Sequence, residues 1–237
     1  MSLSMLLAAK GADADTTIYF VNIYAGPEIF ELDGHAAIVV DIKGQPSRSY
    51  NFGVFDFDAP HFVYRFVKGD TDYMAVEWPT EPFLYPYHEQ GRRVVAHELN
   101  FDSRQKARLV EALRRNVRPE NAVYRYNYVK DNCATVLLAP APFEAQSLLR
   151  PTFRNVMRAH HVRYPWYQFG IDLALGSGID YTIDRRELAF TPVELDGMLA
   201  GATVGGKPLV KATHVLCDTD PFNAELAPTP WYLTPGA

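Results

Sequence analysis

The chain has 237 residues, 48% of them hydrophobic and 22% charged, which is a globular composition on a chain long enough to bury a sizeable core. Its formal charge of -5 excludes a protein that tracks nucleic-acid phosphates with a basic stripe. Two cysteines exclude a disulfide scaffold but leave one bond, Cys133–Cys217, open. No apolar run is long enough to span a bilayer.

Met5-Leu6-Leu7-Ala8-Ala9 is too short, and lacks the basic flank, for a complete signal peptide. Residues 1–15 therefore read as the remnant of a trimmed leader or as added residues, and 16–237 as a single domain. The β-branched and aromatic stretch Thr17 to Tyr24 predicts a strand, and Ala25-Gly26-Pro27 a turn. After Asp33-Gly34, the segments His35 to Ile42 and Ser49 to Phe55 predict an antiparallel hairpin across a turn at Lys43 to Pro46. Pro60 to Val67 reads as a short helix with Phe62, Val63 and Phe66 on one face, and Asp72 to Trp78 as a strand. A helix over Pro82 to Gln90 and a strand over Arg92 to Leu99 follow.

Asp102 to Val117 is the clearest helix. Asp102 and Gln105 form a capping-box pattern, and Leu109, Val110 and Leu113 share a face; Pro119-Glu120-Asn121 ends it. The alternating Tyr124, Tyr126 and Tyr128 predict a half-buried strand. Asp131 or Asn132 then caps a helix with Cys133 in its first turn. Helices over Phe153–His160, Trp166–Leu175 and Pro192–Ala200 and a strand over Leu209–Leu216 complete the chain. Sheet elements early and helices late predict an α+β fold.

Cys133 is the first candidate for chemistry. A helix N-terminus stabilises a thiolate and lowers its pKa toward neutrality, and a nearby imidazole makes it a nucleophile for acyl transfer. The alternative is a small buried core cysteine. His35, which opens an apolar strand after a glycine, is the preferred base; the alternative is a satisfied histidine at a strand end. His61, His88, His97, His160, His161 and His214 read as surface or packing residues. The adjacent His160 and His161 should point to different faces, and no HExxH or CxxC accompanies them, so no metal site is expected. No dinucleotide or phosphate-loop fingerprint implies a cofactor, and Gly176-Ser177-Gly178 is not a nucleophile elbow. Asp56 and Asp58 read as a solvated turn.

Several ordered motifs carry a resemblance: Phe20 to Pro27 leading into Gly34-His35-Ala36-Ala37, Tyr50 to Phe57, Phe66 to Tyr73, and Pro119-Glu120-Asn121 through Asp131-Asn132-Cys133-Ala134-Thr135. With Pro165-Trp166, Gly170-Ile171-Asp172 and Leu175-Gly176, they cover about residues 16 to 200. The chain resembles the Lnb N-terminal periplasmic domain family, named for bacterial lipoprotein N-acyltransferases. Its histidine-before-cysteine order is similar to that of the circularly permuted branch of the NlpC-type papain-like superfamily. The resemblance implies a permuted papain-like fold, an antiparallel sheet with packed helices, and a bacterial periplasmic or other extracytoplasmic location.

It further implies Cys133 as nucleophile and His35 as base. Asn51, on the hairpin partner, would orient the imidazole, and Tyr126 would place a hydroxyl near the oxyanion. The expected activity is acyl transfer or hydrolysis through a thioester, with no cofactor. The substrate would be a lipid ester, a lipoprotein acyl chain or a cell-wall peptide amide, and peripheral contact with a membrane would follow. The 14 Tyr and 14 Phe would either line an acyl groove or build the core. Two other readings stand beside this one: a non-catalytic envelope-binding module that kept the fold, and a structural role with Cys133 and Cys217 bonded.

Overall fold

The computed structural model describes residues 15–26, 28, 31–55, 59–61, 64–65, 68, 71–125, 133–134, 151–219 and 233–235. Its strands are β1 (Thr16–Ile23), β2 (His35–Ile42), β3 (Arg48–Val54), β4 (Asp72–Pro79), β5 (Val94–Leu99), β6 (Val123–Arg125), β7 (Thr203–Val204), β8 (Lys207–Pro208) and β9 (Val210–Cys217). The helices are α1 (Thr80–Glu89), α2 (Ser103–Asn116), α3 (Pro119–Ala122), α4 (Phe153–His160), α5 (Pro165–Leu175), α6 (Arg185–Leu188) and α7 (Pro192–Leu199), with a 3-10 turn over Gly176–Ile179. The class is α+β, as the order of elements predicts.

Seven strands form an antiparallel sheet in the order β6-β4-β3-β2-β1-β5-β9. β1 and β2 lie at its centre and are apolar on both faces. Ile18, Phe20, Ala36 and Ile38 pack under α2 and α7, while Val21, Ile23, Ala37 and Val39 pack under Phe83 of α1. This two-sided burial explains why both strands read as nearly unbroken apolar runs. α4 and α5 build a separate apolar cluster around Phe153, Met157 and Ile171.

The Asp102 cap forms as expected: its carboxylate accepts from the Gln105 amide at 2.8 Å, and the Asp102 amide donates to Gln105 Oε1 at 2.9 Å. Pro119 ends α2 but does not end helical structure. It becomes the first residue of α3, where its missing N–H costs nothing. Of the segment at 60–67, Tyr64 and Arg65 are helical, while Phe62, Val63 and Phe66 lie outside the described residues. Tyr126, Tyr128, Asp131, Asn132, Asp56 and Asp58 lie outside them as well. Among the described residues, no helix is long and apolar enough to cross a membrane.

Candidate active site

The site assembles at the end of the sheet where β2 begins and β3 leaves the ladder. β2 and β3 pair from Val40↔Arg48 to Ala37↔Asn51, and the β3–β4 register slips between Asn51 and Val54. Gly53 lies in this irregular stretch at φ +87, a backbone region open to glycine at little cost. A Cβ placed on Gly53 would lie 3.9 Å from the Cβ of Cys133, so Cys133 packs where β3 departs. Cys133 and Ala134 are helical. The amide of Ala36 donates to the Cys133 sulfur, which places the thiol beside the first residues of β2.

The imidazole of His35 projects from the first residue of β2, edge-on to Phe83 of α1 at 6.2 Å between ring centres. Its Nε2 is 3.2 Å from Asn51 Oδ1. Which atom of Asn51 faces the ring is settled further down the chain of contacts. Asn51 Nδ2 donates to Ser49 Oγ at 3.2 Å, and Ser49 Oγ donates to the Trp78 carbonyl at 3.2 Å. The amide oxygen of Asn51 is therefore turned toward His35 and must receive a proton from Nε2. The lone pair then belongs to Nδ1. Asn51 and Ser49 are fully buried, so this orientation is fixed by packing as well as by hydrogen bonds. The structure thus joins His35 to Asn51 and sets Cys133 at the neighbouring residue, while Tyr126 lies outside the described residues.

The electrostatics depart from the sequence-based expectation of a depressed thiol pKa. Burial pushes the Cys133 thiol up to about 11, outweighing the amides of Ala36, Ala134 and Cys133 that favour the thiolate. Burial also lowers His35 to about 4, against the hydrogen bond that its Nε2 donates to Asn51 and with a further push from the Arg92 cation. At neutral pH Cys133 is therefore a thiol and His35 a neutral imidazole. Each burial penalty falls on a lone charge.

Two clamps hold the β1–β2 connection that delivers His35, and neither is legible as chemistry in the sequence. Arg92, 1% exposed, donates to Glu31 Oε1 at 2.6 Å and to the Tyr24 carbonyl from Nε at 3.0 Å and Nη2 at 2.7 Å. Its guanidinium also lies 5.0 Å from the ring centre of Tyr87, whose hydroxyl burial holds above its ordinary range and which feels Cys133. Asp33 forms the second clamp with His160 and His161. This corrects the expectation that the two histidines diverge, because the chain leaves the α4 helix at His161 and both rings turn to one carboxylate. Gly34, at φ +76, completes the turn; a Cβ there would lie 2.5 Å from the Ile23 carbonyl oxygen.

Cys133 and Cys217 are both free, which overturns the disulfide reading. Cys217 packs on the opposite face of the sheet under α1, and its sulfur lies 3.2 Å from Thr219 Oγ1. His97 is buried between Asp196 at 2.6 Å and Thr213 at 2.8 Å, the packing role expected of it. Among the described residues, no group of three or more His, Cys, Asp or Glu side chains could hold a metal ion.

No curated protein and no solved structure matches the chain. The family model of the Lnb N-terminal periplasmic domain matches residues 12–162, a range that contains His35, Asn51 and Cys133 and stops short of the motifs at 165–176. With well over half of its length matched, and the fold's central strands inside the matched range, the chain belongs to the Lnb N-terminal periplasmic domain family.

Proposed function

We propose that the protein is a cysteine-dependent acyltransferase or hydrolase acting at the bacterial cell envelope, with Cys133 as nucleophile and His35 as base. The observation that carries this reading is the relay Ser49–Asn51–His35, which fixes the imidazole tautomer and leaves the lone pair on Nδ1, with the Cys133 thiol held by the amide of the adjoining residue Ala36. Asn51 is the orienting residue. Tyr126 remains the proposed hydroxyl near the oxyanion. The order of histidine before cysteine, and the helical cysteine set against a strand bearing the histidine, support a permuted papain-like arrangement.

Cys133 Sγ attacks the carbonyl carbon of an ester or amide as its proton passes to His35 Nδ1. Negative charge collects on the carbonyl oxygen. Collapse breaks the bond to the leaving alcohol or amine, which takes the proton from His35, and a thioester remains on Cys133. An acceptor amine or water then loses a proton to His35 and attacks the thioester. The second collapse returns the proton to sulfur and releases the acylated acceptor or the free acid. Because burial keeps His35 neutral at physiological pH, the base is in its competent form without prior titration. The family points to a lipid ester, a lipoprotein acyl chain or a cell-wall amide as substrate, and to peripheral membrane contact.

The raised thiol pKa is the one observation that favours the alternative, a non-catalytic envelope-binding module. Iodoacetamide labelling of Cys133 between about pH 5 and 9, in wild type and His35→Ala, separates the two. With His35 acting as base, wild type labels near neutral pH, where the isolated thiol is almost wholly protonated, and His35→Ala slows this at least tenfold. Equal rates in the two proteins, rising only at alkaline pH, would favour the binding module.

A further inference from the structure

The helices beyond residue 151 reach back to the turn that delivers His35. His160 Nδ1 lies 3.8 Å and His161 Nε2 3.1 Å from Asp33 Oδ1. His161 is 1% exposed, and its Nδ1 lies 2.7 Å from Gln168 Oε1 on α5. The direction of that amide is fixed at its other atom, because Gln168 Nε2 donates to Asp172 Oδ1 at 2.7 Å. A carboxylate and an amide oxygen only accept, so both nitrogens of His161 donate and the ring is a buried imidazolium.

The groups around it account for that charge. Asp33 faces it from the β1–β2 turn, Gln168 with Asp172 behind it from α5, and the Tyr167 ring edge-on at 4.9 Å. His160 is its neighbour on α4 and is itself 3.3 Å from Glu194 on α7. Asp172 is compensated separately by Arg154 and Arg158 of α4. Asp33 is thus the carboxylate that the imidazolium meets directly. Asp33 also stands two residues before His35, and its charge acts on Cys133 against thiolate formation.

We propose that His161 is a positioning residue of the Cys133–His35 centre, neutralising Asp33 and pinning its turn so that the sulfur can carry negative charge during attack. The inference rests on the acyl-transfer reading. It also gives the helices after the matched domain a role: Gln168 and Asp172 lie beyond residue 162, yet they hold a residue that serves the reacting pair.

The test is the iodoacetamide labelling rate of Cys133 in the full chain, read by peptide mass to separate it from Cys217. It compares wild type, His161→Gln, Asp33→Asn and the double variant across pH. His161→Gln removes the buried imidazolium 3.1 Å from Asp33 and should label about tenfold more slowly near pH 7, the equivalent of about one pK unit on the sulfur. Asp33→Asn should label no more slowly than wild type. The double variant, with the charge gone and hydrogen-bonding groups retained, should return to about the wild-type rate. A folded His161→Gln with the wild-type profile would overturn the proposal, as would a double variant as slow as the single. If His161→Gln does not fold, Asp33→Asn decides, since slower labelling there contradicts an opposing role for the carboxylate. A wild type indifferent to His35→Ala would sink the acyl reading instead, while rates within the His161 set would still report whether the ion pair tunes the sulfur.

Discussion

Lowering the pH should destabilise the fold through His35 by a calculable amount. The unfolded imidazole titrates near 6.5 and the folded one near 4, so between those values the unfolded chain alone takes up the proton. Stability is therefore lost as pH falls below about 6.5, and the loss is nearly complete near pH 4. At pH 4.5 the cost is about 2.5 kcal/mol, at about 1.4 kcal/mol per pK unit. His35→Gln keeps an amide that can donate to Asn51 and does not titrate. Urea unfolding of both proteins at about pH 7.5 and 4.5, followed by circular dichroism, should show the stability gap moving by about 2.5 kcal/mol in favour of the variant. His161 acts with the opposite sign. Asp33 and Gln168 outweigh burial and raise its pKa, so its contribution is present below about 6.5 and is lost as pH rises through its folded value. That term is common to both proteins and cancels in the comparison. A gap that does not move with pH would mean that His35 titrates in the fold as it does in the unfolded chain, and the burial-lowered imidazole would be wrong.

Other perturbations probe the frame around the centre. Arg92→Leu strips a buried cation from Glu31 and the Tyr24 carbonyl and should cost about 3–5 kcal/mol in a thermal or urea melt; a loss below about 1 kcal/mol would mean that the clamp is dispensable. Gly53→Ala forces a side chain onto φ +87 and should cost about 1–2 kcal/mol, with slower Cys133 labelling as the strand end shifts; unchanged stability would place the strain elsewhere. Asp102→Ala removes an exposed cap and should cost about 1 kcal/mol without altering the labelling rate, a control for effects of stability alone.

Much of the fold was legible because local signals agreed with tertiary demands. The apolar run at His35 to Ile42, the capping box at Asp102 and the periodicity of Phe153 to His160 each gave elements whose bounds the structure reproduces closely. The short β7–β8 hairpin, closed by Gly205-Gly206, and α6 were missed, since two-residue strands and a single helical turn carry too few side chains to establish a period. At the site, the family resemblance pointed to Asn51 on the hairpin partner of His35, and its amide oxygen lies 3.2 Å from the imidazole. The clamps were not legible. Arg92 and Glu31 look like ordinary surface charges along the chain, and the partners of His161 lie 128 residues before it at Asp33 and seven after it at Gln168. The neutral state of the Cys133–His35 pair was hidden for a similar reason. Helix position alone predicts a depressed thiol pKa, and the opposing burial comes from packing between distant elements.

Intact-mass analysis of the protein after brief incubation with a p-nitrophenyl ester of a short fatty acid tests directly whether Cys133 is an acyl-accepting nucleophile. One added acyl group is expected, mapped to Cys133, labile to hydroxylamine as a thioester, absent in Cys133→Ala and at least about tenfold slower to form in His35→Ala. An unmodified wild-type protein, or an adduct that forms equally well without His35, would contradict it.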